Sequence, residues 1–242
     1  MDPAEYHTMA KQEANYWWHK GRRHIIETVC NKFISKQKIT IADIGCGTGG
    51  NFELLRKYGN VDGLDISEAA LEYCKKRSAY RKRVLTSAEN VPINEYDIIT
   101  AFDVLEHLEN DNSVLRAWAS SLKPRGYILL TVPAYQWLFG PHDRSLHHKR
   151  RYTRQELELK ARKAGFSPVY CSYFFFFTFP FLLLSRIYEK RKKTTGPVST
   201  YKEIPLFLEK IFLLLSRLEG WLINKSATLP FGSSLIIIAQ KQ

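Results

Sequence analysis

The sequence predicts an α/β fold, a doubly wound and mostly parallel sheet, from two observations. Short apolar runs alternate with stretches of helical periodicity along most of the chain, the order that βαβ units require. The first run leads directly into ITIADIGCGTGG (Ile39–Gly50), in which Gly45, Gly47 and Gly49 follow a β-branched strand at every second position. Glycines there allow a sharp turn at positive φ and let a ligand lie against bare backbone. Asn51–Tyr58 then reads as a helix, so the loop would end on free N–H groups. Strand, loop and helix make the first half of a nucleotide-binding unit.

Before this unit, Ile25, Ile26, Val29 and Phe33 recur at helical spacing and follow the aromatic pair Trp17-Trp18. After it, Val61–Ile66 is the second strand and Ser67–Ser78 a helix with Ser67 as N-cap, acid early and base late, as the helix dipole favours. Arg83–Thr86 and Tyr96–Phe102 are strands three and four. Asn112–Leu122 is a helix stopped by Lys-Pro-Arg-Gly, and Tyr127–Val132 the fifth strand. Thr153–Ala164 is a helix with a Thr153/Glu156 capping box. Strands follow near Pro168–Phe175 and at Ser233–Gln240, giving seven.

Two segments break the pattern. Pro133–Tyr152 (PAYQWLFGPHDRSLHHKRRY) is a long loop at the carboxyl end of the fifth strand, where such sheets bind ligands. Tyr173–Leu184 (YFFFFTFPFLLL) carries no charge; it is too short to span a bilayer and is interrupted by Pro180. Lys190–Lys193 is a basic run just beyond it, and Ile204–Ile223 is a helix with a wide apolar face and a narrow polar stripe.

The GxGxG spacing, with Asp43 two positions before the first glycine, differs from the dinucleotide fingerprint. It resembles the first motif of the class I S-adenosylmethionine-dependent methyltransferases. Three further motifs follow in the family's order. Asp65 ends the second strand, Ser87-Ala88-Glu89 follows the third, and Asp103-Val104-Leu105-Glu106-His107 ends the fourth as a DxxEH stretch. The resemblance, nearest to the ubiquinone-type O-methyltransferase group, implies that S-adenosylmethionine is the cofactor. It places Asp43, Gly45, Cys46 and Gly47 at the methionine end, Asp65 and Ile66 at the ribose, and Ala88 and Glu89 at the adenine side. Asp103, Val104 and His107 would lie beside the cofactor, with Val104 on the ring face. The group's cofactor-binding arginine stands about 20 residues before the glycine loop; Arg23 fits that offset slightly better than Arg22.

In the family the last two strands form an antiparallel hairpin, so residues 179–230 become a helical insertion within it. Residues 1–35 are then an N-terminal helical lid, and 36–178 with 231–242 the cofactor-binding core. The implied reaction is methyl transfer to a small-molecule or lipid-associated acceptor at oxygen. Histidine suits the proton transfer near neutral pH, so His142 and then His148, with Tyr152 facing the acceptor, are the expected catalytic residues. No metal is expected, because His142, Asp143, His147 and His148 meet metal spacings only loosely. RNA or protein methylation, and cofactor binding without catalysis, are the competing readings.

The chain has 242 residues and a formal charge of +12, which keeps acidic surfaces, nucleic acid and anionic lipid open as partners. Nucleic acid is disfavoured because the basic cluster Lys75–Arg83 reads as a solvated helix end. Four dispersed cysteines without a CxxC pair suggest reduced thiols, and the first 20 residues lack a signal-peptide core; both favour a cytoplasmic protein. The apolar insertion and its basic run predict contact with the inner membrane face, with an acceptor drawn from it, or with a second copy of the chain.

Overall fold

The computed structural model describes residues 10–34, 39–75, 80–93, 95–192 and 204–242, and for 186–192 the backbone alone. Residues 10–15 are helical, and α1 (Trp17–Phe33) follows. Then come β1 (Ile39–Ile44), α2 (Phe52–Leu55), β2 (Gly59–Asp65), α3 (Glu68–Cys74), β3 (Lys82–Leu85) and β4 (Tyr96–Phe102). After a 3₁₀ turn, Leu105–His107, lie α4 (Asp111–Ser121) and β5 (Leu122–Pro133). The loop after β5 holds a second such turn, Gln136–Leu138, and the short α5 (Pro141–Ser145). The chain ends with α6 (Arg154–Lys163), β6 (Phe166–Phe174), α7 (Phe179–Lys192), α8 (Leu206–Asn224) and β7 (Ser234–Lys241).

The seven strands lie in the order β3-β2-β1-β4-β5-β7-β6. All neighbours pair parallel except β7, which is antiparallel to both β5 and β6. The order reverses between β1 and β4, so the crevice at their carboxyl ends is the topological switch point where ligands of such sheets bind. The sheet has a packed core on each face, because the β-branched run of β7 points alternately up and down. Ile237 joins Trp118, Tyr96, Leu130 and Tyr152 on one face, and Ile236 and Ile238 join Ile25, Ile26, Val29 and Phe52 on the other.

The apolar run 173–184 does not act as one unit. Phe174 ends β6, Phe175 turns at φ +58°, and Phe179 starts α7. Pro180 falls in that helix's first turn, where its missing N–H leaves no bond unmade. Lys193 lies outside the described residues, as do Lys76 and Arg77. Within the basic cluster, Arg81 Nε donates to the buried Asp62 at 2.7 Å and Arg83 donates to the Leu71 carbonyl at 2.8 Å. These two cations serve the fold locally.

Helices α1 and α8 pack closely, because a Cβ at Gly21 would lie 2.8 Å from Ser216 Oγ and one at Gly220 2.5 Å from His24 Nε2. Lys32 closes the carboxyl end of α8, donating to the Asn224 carbonyl at 2.6 Å, the sign the helix dipole favours. Glu219 of α8 is fully buried and accepts the N–H groups of Phe175 at 2.6 Å and Phe177 at 3.0 Å. Burial outweighs those bonds and pushes its carboxyl up to about 7 from an ordinary 4.5. A raised acid holds more protons folded than unfolded, so stability is expected to fall as pH rises from about 4.5 to about 7. The urea midpoint should be lower at the top of that window than at its foot, and Glu219→Gln should flatten the slope. An unchanged slope in that variant would remove Glu219 from the explanation.

Candidate active site

The glycine loop sits at the switch point with Gly45, Gly47 and Gly49 at φ +62°, +54° and +76°. A side chain at Gly45 would also collide, its Cβ falling 2.6 Å from Val104 Cγ2. That contact joins the loop to the chain leaving β4. Asp43 is buried under the loop; its Oδ1 accepts the Thr100 hydroxyl at 2.7 Å, and its Oδ2 has no hydrogen-bond partner. Burial lifts its carboxyl to about 7. Asp65 ties the loop to β2, accepting Gly47 N–H and Ser67 N–H at 2.9 Å each, and burial raises its pKa. Cys46 is buried in the turn, beside a Cys74 thiol that donates to the Gly47 carbonyl at 3.3 Å; all four cysteines are free.

The other expected cofactor residues are more dispersed. Ile66 is 77% exposed and Glu89 is exposed, while the Ala88 carbonyl accepts the Trp118 indole N–H at 2.7 Å. Asp103 turns out of β4 at φ +57° and pairs with Arg22. Arg22 is 7% exposed, its guanidinium lies 4.8 Å over the Trp18 ring, and its Nε has no hydrogen-bond partner. Arg23 is half-buried one position further on, about 100° round the helix. Of the two arginines, Arg22 is the one that pairs with Asp103 at the end of β4. The N-terminal residues also reach the loop, through Glu13 and the Thr48 hydroxyl.

A second group of side chains faces the crevice from the 3₁₀ turn after β4. Glu106 is fully buried, and neither of its carboxyl oxygens has a hydrogen-bond partner. Burial, then the Asp103 charge, pushes its pKa well above the ordinary range. His148 Nε2 stands 3.9 Å from Glu106 Oε1, and the His107 and His148 rings meet edge to face at 4.7 Å. One ligand atom from each of Glu106, His107 and His148 lies within 4.8 Å of the others, close enough to share one divalent cation. His148 belongs to the loop after β5, which is clasped over this turn by Lys149 N–H donating to the Glu106 carbonyl at 2.8 Å.

The same loop corrects one expectation, that of Tyr152. Tyr152 is fully buried, and its hydroxyl donates to Asp111 at 3.0 Å with the Leu105 carbonyl at 3.3 Å. It is a strut between the loop and α4, closed off from any acceptor. His142 is half-buried in the first turn of α5 and is not part of the cluster. The set His142, Asp143, His147 and His148 is also broken up, because Asp143 is taken by Arg151 Nε and Nη2 at 2.7 and 3.0 Å and by Gly140 N–H at 2.8 Å. Burial would raise the Asp143 carboxyl, but the His148 and Arg151 bonds outweigh it and hold the group well below the carboxylate range.

Comparison with known proteins decides the family. The chain is 31% identical over 193 residues to a ubiquinone biosynthesis O-methyltransferase of Hydrogenovibrio crunogenus, covering 68% of this chain and 80% of that one. It belongs to the class I S-adenosylmethionine-dependent methyltransferases. A methyltransferase-domain model matches residues 42–130, from Asp43 through the DxxEH stretch to β5. A relative of the same name from Shewanella pealeana is 28% identical over 151 residues, 54% of this chain and 63% of that one. The fold recurs in a chain of the complex of the Haloferax volcanii Trm112 methyltransferase activator with a methyltransferase. The TM-score there is 0.64 at 15% identity, covering 98% and 94% of the two chains. It recurs also in phosphoethanolamine N-methyltransferase 2 of Haemonchus contortus bound to S-adenosylmethionine, with TM-score 0.59, 17% identity, and 90% and 52% coverage. The protein is an enzyme that takes its methyl group from S-adenosylmethionine.

Proposed function

We propose that this methyltransferase methylates a hydroxyl oxygen of an apolar small molecule drawn from a lipid surface. In this reading Glu106, His107 and His148 hold a divalent cation against that hydroxyl. The observation that carries the reading is Glu106, a fully buried carboxyl without a hydrogen-bond partner beside two imidazoles. A buried acid left so calls for an explanation, and a bound ion is one. A bound cation would make a hydroxyl more acidic, which is what an oxygen acceptor needs from the protein. The relatives named O-methyltransferases support the choice of oxygen.

The protein's own work is then orientation for in-line displacement at the sulfonium methyl. Asp43, Gly45, Cys46 and Gly47 would hold the methionine end, with Arg22 rather than Arg23 turned to its carboxylate. Asp65 and Ile66 would serve the ribose, Ala88 and Glu89 the adenine side, and Val104 the ring face.

The lipid side of the reading rests on α8. Phe207, Ile211, Leu214, Leu218 and Trp221 are each at least 43% exposed and fall on one helical face. Phe181 and Leu184 of α7 are exposed as well, with the Phe181 ring 5.6 Å from Phe212. Lys210 and Arg217 are exposed on the same helix and Lys225 is exposed at its C-cap, as an anionic headgroup layer would favour. Among the described residues no helix is long and apolar enough to cross a membrane.

Radiolabelled cofactor tests the proposal against a lipid extract, a polar metabolite extract and total RNA, each with chelator and then with magnesium or zinc restored. Label should enter the lipid extract and depend on the cation. Label in RNA alone, or transfer indifferent to chelation, would overturn it. Separately, the protein should sediment with anionic vesicles and be released by raised salt. A stable dimer that buries Phe207–Leu218 and leaves the vesicles untouched would assign the stripe to a second copy instead.

A further inference from the structure

Behind the cluster stands a buried ion pair that supplies none of its three ligand atoms. Asp143 is fully buried, and Arg151, 7% exposed, grips both of its oxygens. Gly140 N–H adds a third bond, to Oδ2. Each of these partners can only donate, since a guanidinium keeps its protons. Asp143 is therefore an acceptor throughout, and His148 Nδ1, 3.0 Å from Oδ1, must donate to it as well. The neutral imidazole then carries its proton on Nδ1 and leaves the lone pair of Nε2 facing Glu106.

We propose that Asp143, clamped by Arg151, is a positioning residue that fixes the tautomer and ring orientation of His148 so that Nε2 is offered to the cluster. A purely local role would be capping of α5, which the Gly140 contact performs. Capping needs no burial, however, and an exposed aspartate does it as well. Burying the ion pair costs desolvation that a cap does not demand, and Oδ1 and Arg151 Nε are not needed for it. Arg151 Nη1 is also held, by the Ala134 carbonyl at 3.1 Å at the root of the loop. The clamp thus ties His148 to the end of β5. Carboxylates that orient ligating histidines in this way act on affinity without touching the metal. What Nε2 binds rests on the cation reading above; the tautomer does not.

The test uses the full chain with nitrogen-15 histidine, His148 being assigned by its loss in His148→Ala, at a pH where the ring is neutral. The wild-type spectrum should show His148 protonated on Nδ1. Asp143→Asn should shift that signature toward Nε2–H. It should also weaken zinc binding about 10- to 100-fold and leave cofactor affinity unchanged, with partial rescue by Asp143→Glu. A wild-type His148 protonated on Nε2 would overturn the proposal, as would an Asp143→Asn spectrum identical to the parent's. Should Asp143→Asn fail to fold with Arg151 left buried, the wild-type tautomer still decides. Zinc binding unchanged in both His148→Ala and Glu106→Gln would refute the cation reading alone.

Discussion

Asp65→Ala is expected to weaken S-adenosylmethionine binding by about 1–3 kcal/mol, the cost of leaving buried hydrogen-bonding groups unpaired. Two effects act in the same direction. The ribose hydroxyls lose the carboxylate expected to accept them at the end of β2. The glycine loop loses its anchor too, since Gly47 N–H and Ser67 N–H both rest on Asp65 at 2.9 Å. A loop held at three positive-φ glycines keeps its shape only while its surroundings hold it there. Calorimetric titration of the variant measures both losses together. Asp65→Asn separates them, because an amide oxygen can still accept one loop N–H. Cofactor affinity unchanged in Asp65→Ala would show the ribose assignment to be wrong.

The parts of this molecule that sequence could show are those written in local periodicity and backbone chemistry. Parallel strands buried on both faces read as apolar runs, and glycines at a forced turn read as glycines, so β1, β2, β4 and the loop at residues 45–49 stand out. The choice between Arg22 and Arg23 depended on the phase of α1 against the sheet, and an offset in residues does not encode phase. Tyr152 looked like a loop residue near the acceptor because nothing local reveals that Asp111, some 41 positions earlier, waits for its hydroxyl in the core. Glu106 was visible within DxxEH, but its lack of a partner is a property of the packed structure. Its meeting with His148 crosses from the end of β4 to the loop after β5, a separation no ligand-spacing rule contains. The signal available was weaker: an acid and an imidazole adjacent at a strand's carboxyl end. The run 173–184 shows the reverse case, where uniform composition hid a strand end, a positive-φ turn and a helix start.

Replacing Glu106 by methionine is expected to make the fold more stable and the enzyme nearly inactive. Its carboxyl is fully buried with both oxygens unbonded, and an orphaned buried polar group costs about 1–3 kcal/mol. Substitution of buried charged groups by apolar residues of similar volume is often stabilising for this reason. A thermal melt should therefore move upward by a few degrees for a chain of this size. The same substitution removes one of the three groups proposed to hold the cation, and a metal ion contributes several kcal/mol at a transition state, at least about 100-fold in turnover. Cofactor affinity should change little, since Asp65, Asp43 and the glycine loop are untouched. A residue kept for packing would behave the other way, with stability falling and activity following it. Rising stability with lost transfer is the pattern of a site held at the expense of the fold. A Glu106→Met variant that melts lower and still transfers methyl groups would return Glu106 to the core and leave His107 and His148 without their third partner.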